Sequence, residues 1–283
     1  MATVVDWLSL QFLRRLGMQS RMVRTDHGRV HALVGQGQGQ LGTLVLIHGL
    51  GASASSYRNT IEHLLPQVSQ LILPDMLGHG LSEAPSLGMN GHRVVRSMVQ
   101  AIDQLSPQPV VVFGNSLGGY VTLRVAQSRP ERLRGIFVSS PAGAPMNPEQ
   151  ARAFAERFRL DDLRDGLRLV EMGFASPPRA RLIYALGARK QFRSESVIQL
   201  VSSLTARDMF GYDELNKLAM PITFAWGLKE RVLLEQHRLF FDTCLPAHAT
   251  RIQPAEWGHT PASEVPEDLA KHLVAFMRSL PRV

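Results

Sequence analysis

Hydrophobic residues fall into short apolar runs separated by longer segments with helical periodicity. The runs at residues 43–47, 71–73, 110–113, 133–140 and 221–226 are nearly all apolar. Runs of this kind are typical of strands buried on both faces of a parallel sheet. The alternation of such strands with helices predicts an α/β fold, with a mostly parallel central sheet flanked by helices.

The N-terminal part of the chain precedes this alternation. Residues 4–17 place apolar side chains between Asp6, Arg14 and Arg15, which predicts an amphipathic helix. Two interpretations stay open: the helix docks on the core, or it makes a weak contact with a membrane surface, with its arginines toward the headgroups. Residues 21–35 then predict a β-hairpin around the turn-like Asp26-His27-Gly28.

A long helical segment interrupts the alternation after residue 141. Residues 142–217 are strand-poor, whereas a crossover between parallel strands needs only one helix. We therefore predict a lid of about four helices, inserted into a core domain formed by residues 1–141 and 218–283. The lid carries large apolar side chains, and the pattern alone does not separate those that pack the lid from those that line a pocket.

Composition restricts the class of protein. With 45% hydrophobic and 19% charged residues, the chain has the balance of a globular protein with a sizeable core. The formal charge is +7, but the arginines are scattered and no nucleic-acid motif accompanies them, so we expect no nucleic-acid partner. A single cysteine, Cys244, excludes an internal disulfide. Because no spanning segment or secretory signal is found, we predict a cytoplasmic location.

The chemistry centres on Gly114-Asn115-Ser116-Leu117-Gly118. This G-x-S-x-G pattern directly follows the apolar run 110–113 and opens a helical stretch. In that context, a sharp strand-to-helix turn exposes the serine hydroxyl at the top of the sheet. Ser116 is therefore the candidate nucleophile. On these residues the sequence resembles the α/β-hydrolase family, and the resemblance extends from Leu41 to the C-terminus.

The resemblance implies an oxyanion hole made by backbone groups. His48-Gly49-Leu50-Gly51 matches the family's H-G-x-G turn after the third strand, so Leu50 would supply one N–H group. Leu117, which follows the nucleophile, would supply the second. By the same analogy, Asp75 and His79 lie in a D-x-x-G-x-G-x-S turn that supports the loop beside the active site.

The resemblance also implies the other two members of a catalytic triad. Gly227-Leu228-Lys229-Glu230 matches a G-x-x-D turn, with Glu230 in place of the usual aspartate; glutamate is a known alternative. His259 matches the family's histidine loop, and the order Ser116, Glu230, His259 is the order of this fold. Should Glu230 not be the acid, Glu256 near His259 is the next candidate.

Taken together, the resemblance implies a serine carboxylesterase or lipase-like hydrolase that forms an acyl-enzyme. Such an enzyme needs no cofactor and no metal, and its substrate would be a small-molecule ester with an apolar acyl or alcohol part. Two alternatives remain. Carbon–carbon bond hydrolases of the meta-cleavage type often carry the same G-N-S-x-G-G pattern, although their oxyanion turn usually contains Gly-Pro-Gly. Other members of the fold are ligand receptors with weak catalysis. The oligomeric state is unknown from sequence.

Overall fold

The five apolar runs form strands of one eight-stranded sheet in the computed structural model, which describes residues 11–281. The strands are β1 (Met18–Thr25), β2 (Gly28–Gln36), β3 (Thr43–Ile47), β4 (Gln70–Pro74), β5 (Val110–Asn115), β6 (Leu133–Ser139), β7 (Ile222–Ala225) and β8 (Thr250–Ile252). Their order is β1-β2-β4-β3-β5-β6-β7-β8. Strands β3 to β8 pair in parallel, whereas β2 runs antiparallel to both β1 and β4. The predicted fold class is confirmed.

Helices connect the strands and cover the sheet. They are α1 (Arg58–Leu64), α2 (Gly91–Leu105), α3 (Leu117–Ser128), α4 (Pro148–Glu156), α5 (Leu163–Gly173), α6 (Arg181–Phe192), α7 (Glu195–Ser203), α8 (Glu235–Cys244), α9 (Pro261–Glu264) and α10 (Pro266–Ser279). Short 3₁₀ turns occupy Ala54–Tyr57, Pro130–Arg132 and Ala206–Asp208. No helix in the described part of the chain is long and apolar enough to cross a membrane.

The central strands bury both of their faces. In β3, Val45 and Ile47 pack into the hydrophobic cluster on one side of the sheet, and Leu44 and Leu46 pack into the cluster on the other. All four side chains are fully buried. Because burying one such side chain contributes about 1.5–3 kcal/mol, this alternation explains why a continuous apolar run is a stable strand here.

The predicted hairpin is also present. Strands β1 and β2 pair from Met18 with Gly35 to Thr25 with Gly28, which leaves Asp26 and His27 as a two-residue loop. Gly28 has a φ of 141°, a value that side-chain-bearing residues rarely adopt.

The described end of the N-terminal segment docks on the core. Leu13 is fully buried in the same cluster as Leu44, and Leu16 packs against that cluster. Phe12 is 47% exposed, so the segment has one buried and one open face. Residues 4–10 of the predicted helix lie outside the described residues.

Helices α4–α7 form a helical insert between β6 and β7. Arg124 of α3 ties the chain returning from the insert to the core, because its guanidinium lies 4.1 Å from the centre of the Phe210 ring and donates to the Asp208 carbonyl at 3.0 Å. The insert is consistent with the lid predicted from the sequence. The division into a core domain and a lid domain at residues 142 and 217 stays a prediction.

Candidate active site

The turn between β5 and α3 holds Ser116 in a strained conformation. Its φ is 56° and its ψ is −117°, a combination that non-glycine residues seldom adopt. Close packing fixes the turn. A Cβ atom on Gly114 would lie 2.1 Å from the Gly118 carbonyl oxygen, and one on Gly118 would lie 2.1 Å from the Ile47 carbonyl oxygen. Only glycine fits at these two positions, which explains the spacing of the motif.

The turn after β3 lies directly beside Ser116. A Cβ atom on Gly49 would be 3.4 Å from the Cβ atom of Ser116. The N–H group of Leu117 stands at the N-terminus of α3, where a helix leaves its first amides without partners. Within residues 11–281, neither the Leu117 nor the Leu50 amide donates a hydrogen bond. Both amides are thus free to bind an oxygen atom.

A buried carboxylate supports the turn after β3 through hydrogen bonds. Asp75, which is 2% exposed, accepts hydrogen bonds from the Ala54 amide at 2.6 Å and the Leu81 amide at 3.0 Å, and it contacts His31 Nδ1 at 2.8 Å. Burial alone would raise the pKa of Asp75, but the hydrogen bond from His31, the nearby His48 ring and the Ala54 amide outweigh it and lower the pKa. The carboxylate therefore stays ionised.

His48 completes the support of the turn. Its Nε2 accepts from the Met76 amide at 3.0 Å, which makes Nδ1 the protonated nitrogen. Nδ1 then donates to the carbonyl of Gly49 at 2.8 Å. Burial, the largest influence, lowers the pKa of His48, so the ring stays neutral and keeps this tautomer. Its role is to orient the turn.

Glu230 and His259 are brought together, although 29 positions separate them. His259 Nδ1 lies 2.8 Å from Glu230 Oε2, and the Glu230 side chain is 1% exposed. The other carboxylate oxygen accepts from the Val232 amide at 2.7 Å and the Leu233 amide at 3.0 Å. Three hydrogen bonds thus fix the longer glutamate side chain with one oxygen toward the imidazole.

The charge state of Glu230 follows from these contacts. Burial alone would raise the pKa of the carboxyl group, but the charge and hydrogen bond of His259, together with the hydrogen bond from Leu233, have the larger combined effect and lower it. An ionised Glu230 accepts the Nδ1 proton of His259, which leaves Nε2 as the basic nitrogen of the ring.

The loops that carry the three residues are directly connected. The Lys229 amide donates to the Trp257 carbonyl at 3.0 Å, which joins the Glu230 turn to the His259 loop. The Asn115 side chain, next to Ser116, donates to the carbonyl of His259 at 3.0 Å. Ser116 and His259 form no direct hydrogen bond among the described residues.

The alternative carboxylate, Glu256, points elsewhere. It pairs with Lys229 at 2.5 Å, and its side chain is 71% exposed. Such a surface pair is screened by solvent and contributes little to stability. Glu230, not Glu256, is the carboxylate bound to His259.

Aromatic side chains of the insert reach the site. A Cβ atom on Gly51, in the turn beside Ser116, would lie 2.6 Å from the Phe192 ring. Phe192 stacks on Phe158 with ring centres 5.5 Å apart, and Phe158 contacts Phe154 edge-on at 5.0 Å. These three rings are only partly buried. The insert therefore presents an apolar surface next to the turn that carries Ser116.

Two residues of the site could not be recognised from the sequence alone. Asn115 occupies a variable position of its motif, and Phe192 is one of many apolar residues of the insert, so neither carried a signal. Within the described ranges, no group of three or more His, Cys, Asp or Glu side chains is arranged to hold a metal ion.

Comparisons with known proteins agree with this architecture. Residues 44–272 match the family model described as "Alpha/beta hydrolase family". A pimeloyl-[acyl-carrier protein] methyl ester esterase of Yersinia enterocolitica is 27% identical over 236 residues, which cover 79% of this chain and 84% of the esterase.

Two solved structures show the same fold. A membrane phospholipase A, described as a bacterial virulence factor, superposes with a TM-score of 0.80 at 23% identity. The superposition covers 98% of this chain and 94% of the phospholipase chain. The 2-hydroxy-6-oxo-6-phenylhexa-2,4-dienoate hydrolase of Rhodococcus sp. strain RHA1 gives a TM-score of 0.78 at 24% identity, covering 93% and 99%. Since the family model spans most of the sequence, this chain belongs to the alpha/beta hydrolase family.

Proposed function

We propose that the protein hydrolyses carboxylic esters through an acyl-enzyme, with Ser116, His259 and Glu230 as its catalytic triad. The observation that carries the proposal is the hydrogen bond between the buried Glu230 carboxylate and His259 Nδ1, on loops joined to the Ser116 turn. His259 and two backbone amides compensate the buried charge of Glu230, so the carboxylate can stay ionised where a triad needs it.

The chemistry follows from the tautomer of His259. With Nδ1 protonated toward Glu230, Nε2 takes the proton of the Ser116 hydroxyl as its oxygen attacks the ester carbonyl. The amides of Leu50 and Leu117 bind the oxyanion, and each such donor typically lowers the barrier by about 3–4 kcal/mol. His259 then protonates the leaving alcohol. Water, activated by the same ring, releases the acid.

The insert supports a substrate with an apolar part. Phe192 lies beside the turn that holds Leu50, and Phe158 stacks on it, so these rings would contact an acyl or alkyl chain. The Yersinia enterocolitica relative, a methyl ester esterase by name, is in line with ester chemistry. The basic net charge of +7 adds only a weak attraction for anionic substrates.

A second candidate, hydrolysis of carbon–carbon bonds in ring-fission products, is favoured by two observations. Residues 114–119 read G-N-S-L-G-G, and the Rhodococcus sp. hydrolase shares the fold. The turn at residues 49–53 lacks Gly-Pro-Gly, which favours the ester reaction. A third candidate, a receptor with weak catalysis, fits poorly with a fully hydrogen-bonded Glu230.

One experiment separates the three. Wild type, Ser116→Ala and the control Ser128→Ala, an exposed serine at the end of the same helix, are assayed with p-nitrophenyl acyl esters and with a ring-fission dienoate. A fluorophosphonate probe is applied in parallel. Ester turnover and labelling lost only in Ser116→Ala support the proposal. Faster turnover of the dienoate supports the second candidate, and absence of labelling in the wild type supports the third.

A further inference from the structure

A group of hydrogen bonds joins the helical insert to the loop that carries His259. Gly173, the last residue of α5, accepts at its carbonyl from the His259 amide at 3.1 Å and from the Thr260 hydroxyl at 3.1 Å. The end of an insert helix is therefore bonded to the main chain of the residue whose ring faces Glu230.

Glu264 lies at the centre of this group. One of its carboxylate oxygens accepts from the Thr260 amide at 2.8 Å and from the Thr260 hydroxyl at 3.1 Å, and the other accepts from the Ala175 amide of the insert. A Cβ atom on Gly258 would lie 2.7 Å and 2.9 Å from the two oxygens. Glu264 thus contacts both sequence neighbours of His259.

Helix capping alone does not account for these contacts. Thr260 is the residue before α9, and a glutamate that accepts from the amide of such a residue is a common way to satisfy it. Capping gives no reason for the second oxygen to bind Ala175, which is 89 positions away in the chain. A carboxylate, with two acceptor oxygens and no donor, is suited to all three N–H and O–H groups at once.

We propose that Glu264 is a positioning residue that couples the position of the insert to the orientation of His259. The inference rests on the proposed function, in which His259 is the general base. When the segment 173–175 is seated on Glu264, the His259 amide is held and its ring faces Glu230. When that segment moves away, His259 loses the carbonyl that binds its amide, and Thr260 loses a partner of its hydroxyl.

The first test is Glu264→Gln, an isosteric change that turns one acceptor oxygen into an NH₂ group facing an N–H donor. We expect kcat to fall roughly ten- to a hundredfold, as for a lost hydrogen bond to a charged group, with KM little changed. The control is Glu267→Gln, which removes an exposed ion pair with Lys271 on the neighbouring helix and leaves the loop untouched. It should retain wild-type kcat.

A spectroscopic readout separates positioning from general stability. The proton between His259 Nδ1 and Glu230 gives a low-field NMR signal, which we expect to shift or broaden in Glu264→Gln and to stay in place in Glu267→Gln. Thr260→Val, which removes the hydroxyl that bridges Gly173 and Glu264, should act on the same signal. The double variant should lose less activity than the product of the two single losses, because both changes break one assembly.

The outcomes distinguish this inference from the proposed function. Suppose that Ser116→Ala is inactive but Glu264→Gln keeps wild-type kcat and an unshifted NMR signal of the His259 Nδ1 proton. Glu264 then has only a structural role, even if the melting temperature of the variant falls. Should Glu264→Gln fail to fold, an unchanged kcat and signal in Thr260→Val would overturn the inference equally. Full activity in Ser116→Ala would instead refute the proposed function itself.

Discussion

Replacing Glu230 with glutamine tests the site at the position where the sequence departs from its family. The change keeps the size of the side chain but replaces one carboxylate oxygen with an NH₂ group. If the remaining oxygen keeps its hydrogen bonds from the Val232 and Leu233 amides, the NH₂ group faces His259 Nδ1. Two donors would then face each other, so the ring must move its proton to Nε2.

The size of the effect follows from that tautomer. A ring protonated at Nε2 cannot accept the Ser116 proton, and loss of the orienting carboxylate in a Ser-His-acid site costs about four orders of magnitude in kcat. We expect a decrease of roughly three to four orders, equivalent to about 4–5.5 kcal/mol in the activation barrier. KM should change far less, because the variant alters no group that contacts the substrate.

The assay compares kcat of wild type, Glu230→Gln, Glu230→Asp and Glu256→Gln on one p-nitrophenyl ester, after circular dichroism has shown that each variant is folded. Glu230→Asp should keep much of the activity, although its shorter reach holds His259 less well. Glu256→Gln is the matched control, since it removes a carboxylate from the same loop region that only pairs with Lys229. It should remain within a factor of a few of wild type.

Near-normal turnover in folded Glu230→Gln would refute the role that we assign to Glu230. An equal loss of activity in Glu256→Gln and Glu230→Gln would refute it too, because the exposed carboxylate would then do what we assign to the buried one.

Three further predictions concern the apolar surface of the insert, the pH dependence of stability and the Ser116 turn. Phe192→Ala should lower kcat/KM for long-chain relative to short-chain esters by about tenfold, since it removes a ring beside Gly51; an unchanged chain-length profile would contradict this. Burial, and then the charge of Arg157, lower the pKa of His237 from about 6.5 to about 4. Between these two pH values the ring is protonated in the unfolded state but not in the folded state. The free energy of unfolding therefore falls as the pH drops from about 6.5 to 4. His237→Phe should reduce this loss by up to about 2 kcal/mol at pH 4.5, measured by urea unfolding, and equal slopes in both proteins would count against it. Gly118→Ala should lower the free energy of unfolding by more than about 3 kcal/mol or prevent folding, because the new Cβ atom would clash with the Ile47 carbonyl. Gly187→Ala in α6, where the space around the residue is open, is the control and should be neutral or stabilising. Equal melting temperatures of the two variants would show that the turn can relax.

The sequence by itself determined the fold class and the Ser116 turn. Strands such as β3 are continuous apolar runs because both faces are buried, and that requirement is visible in any window of a few residues. The turn is equally local: Gly114 and Gly118 are needed where backbone atoms approach within 2.1 Å of a would-be side chain, so the motif records the geometry directly. The hairpin and the helical insert were predicted for the same reason, because periodicity and turn residues act over short distances.

Only the tertiary structure decided which groups meet. From sequence, Glu230 was the predicted partner of His259 and Glu256 the alternative. In the structure, the buried Glu230 carboxylate is held by two backbone amides and contacts His259, whereas Glu256 pairs with a surface lysine. The contacts of Glu264 with the insert and of Phe192 with the turn beside Ser116 left no pattern at all. Such contacts join segments far apart in the chain, and their energy depends on packing and solvent exclusion. Neither packing nor solvent exclusion can be predicted from a short stretch of sequence.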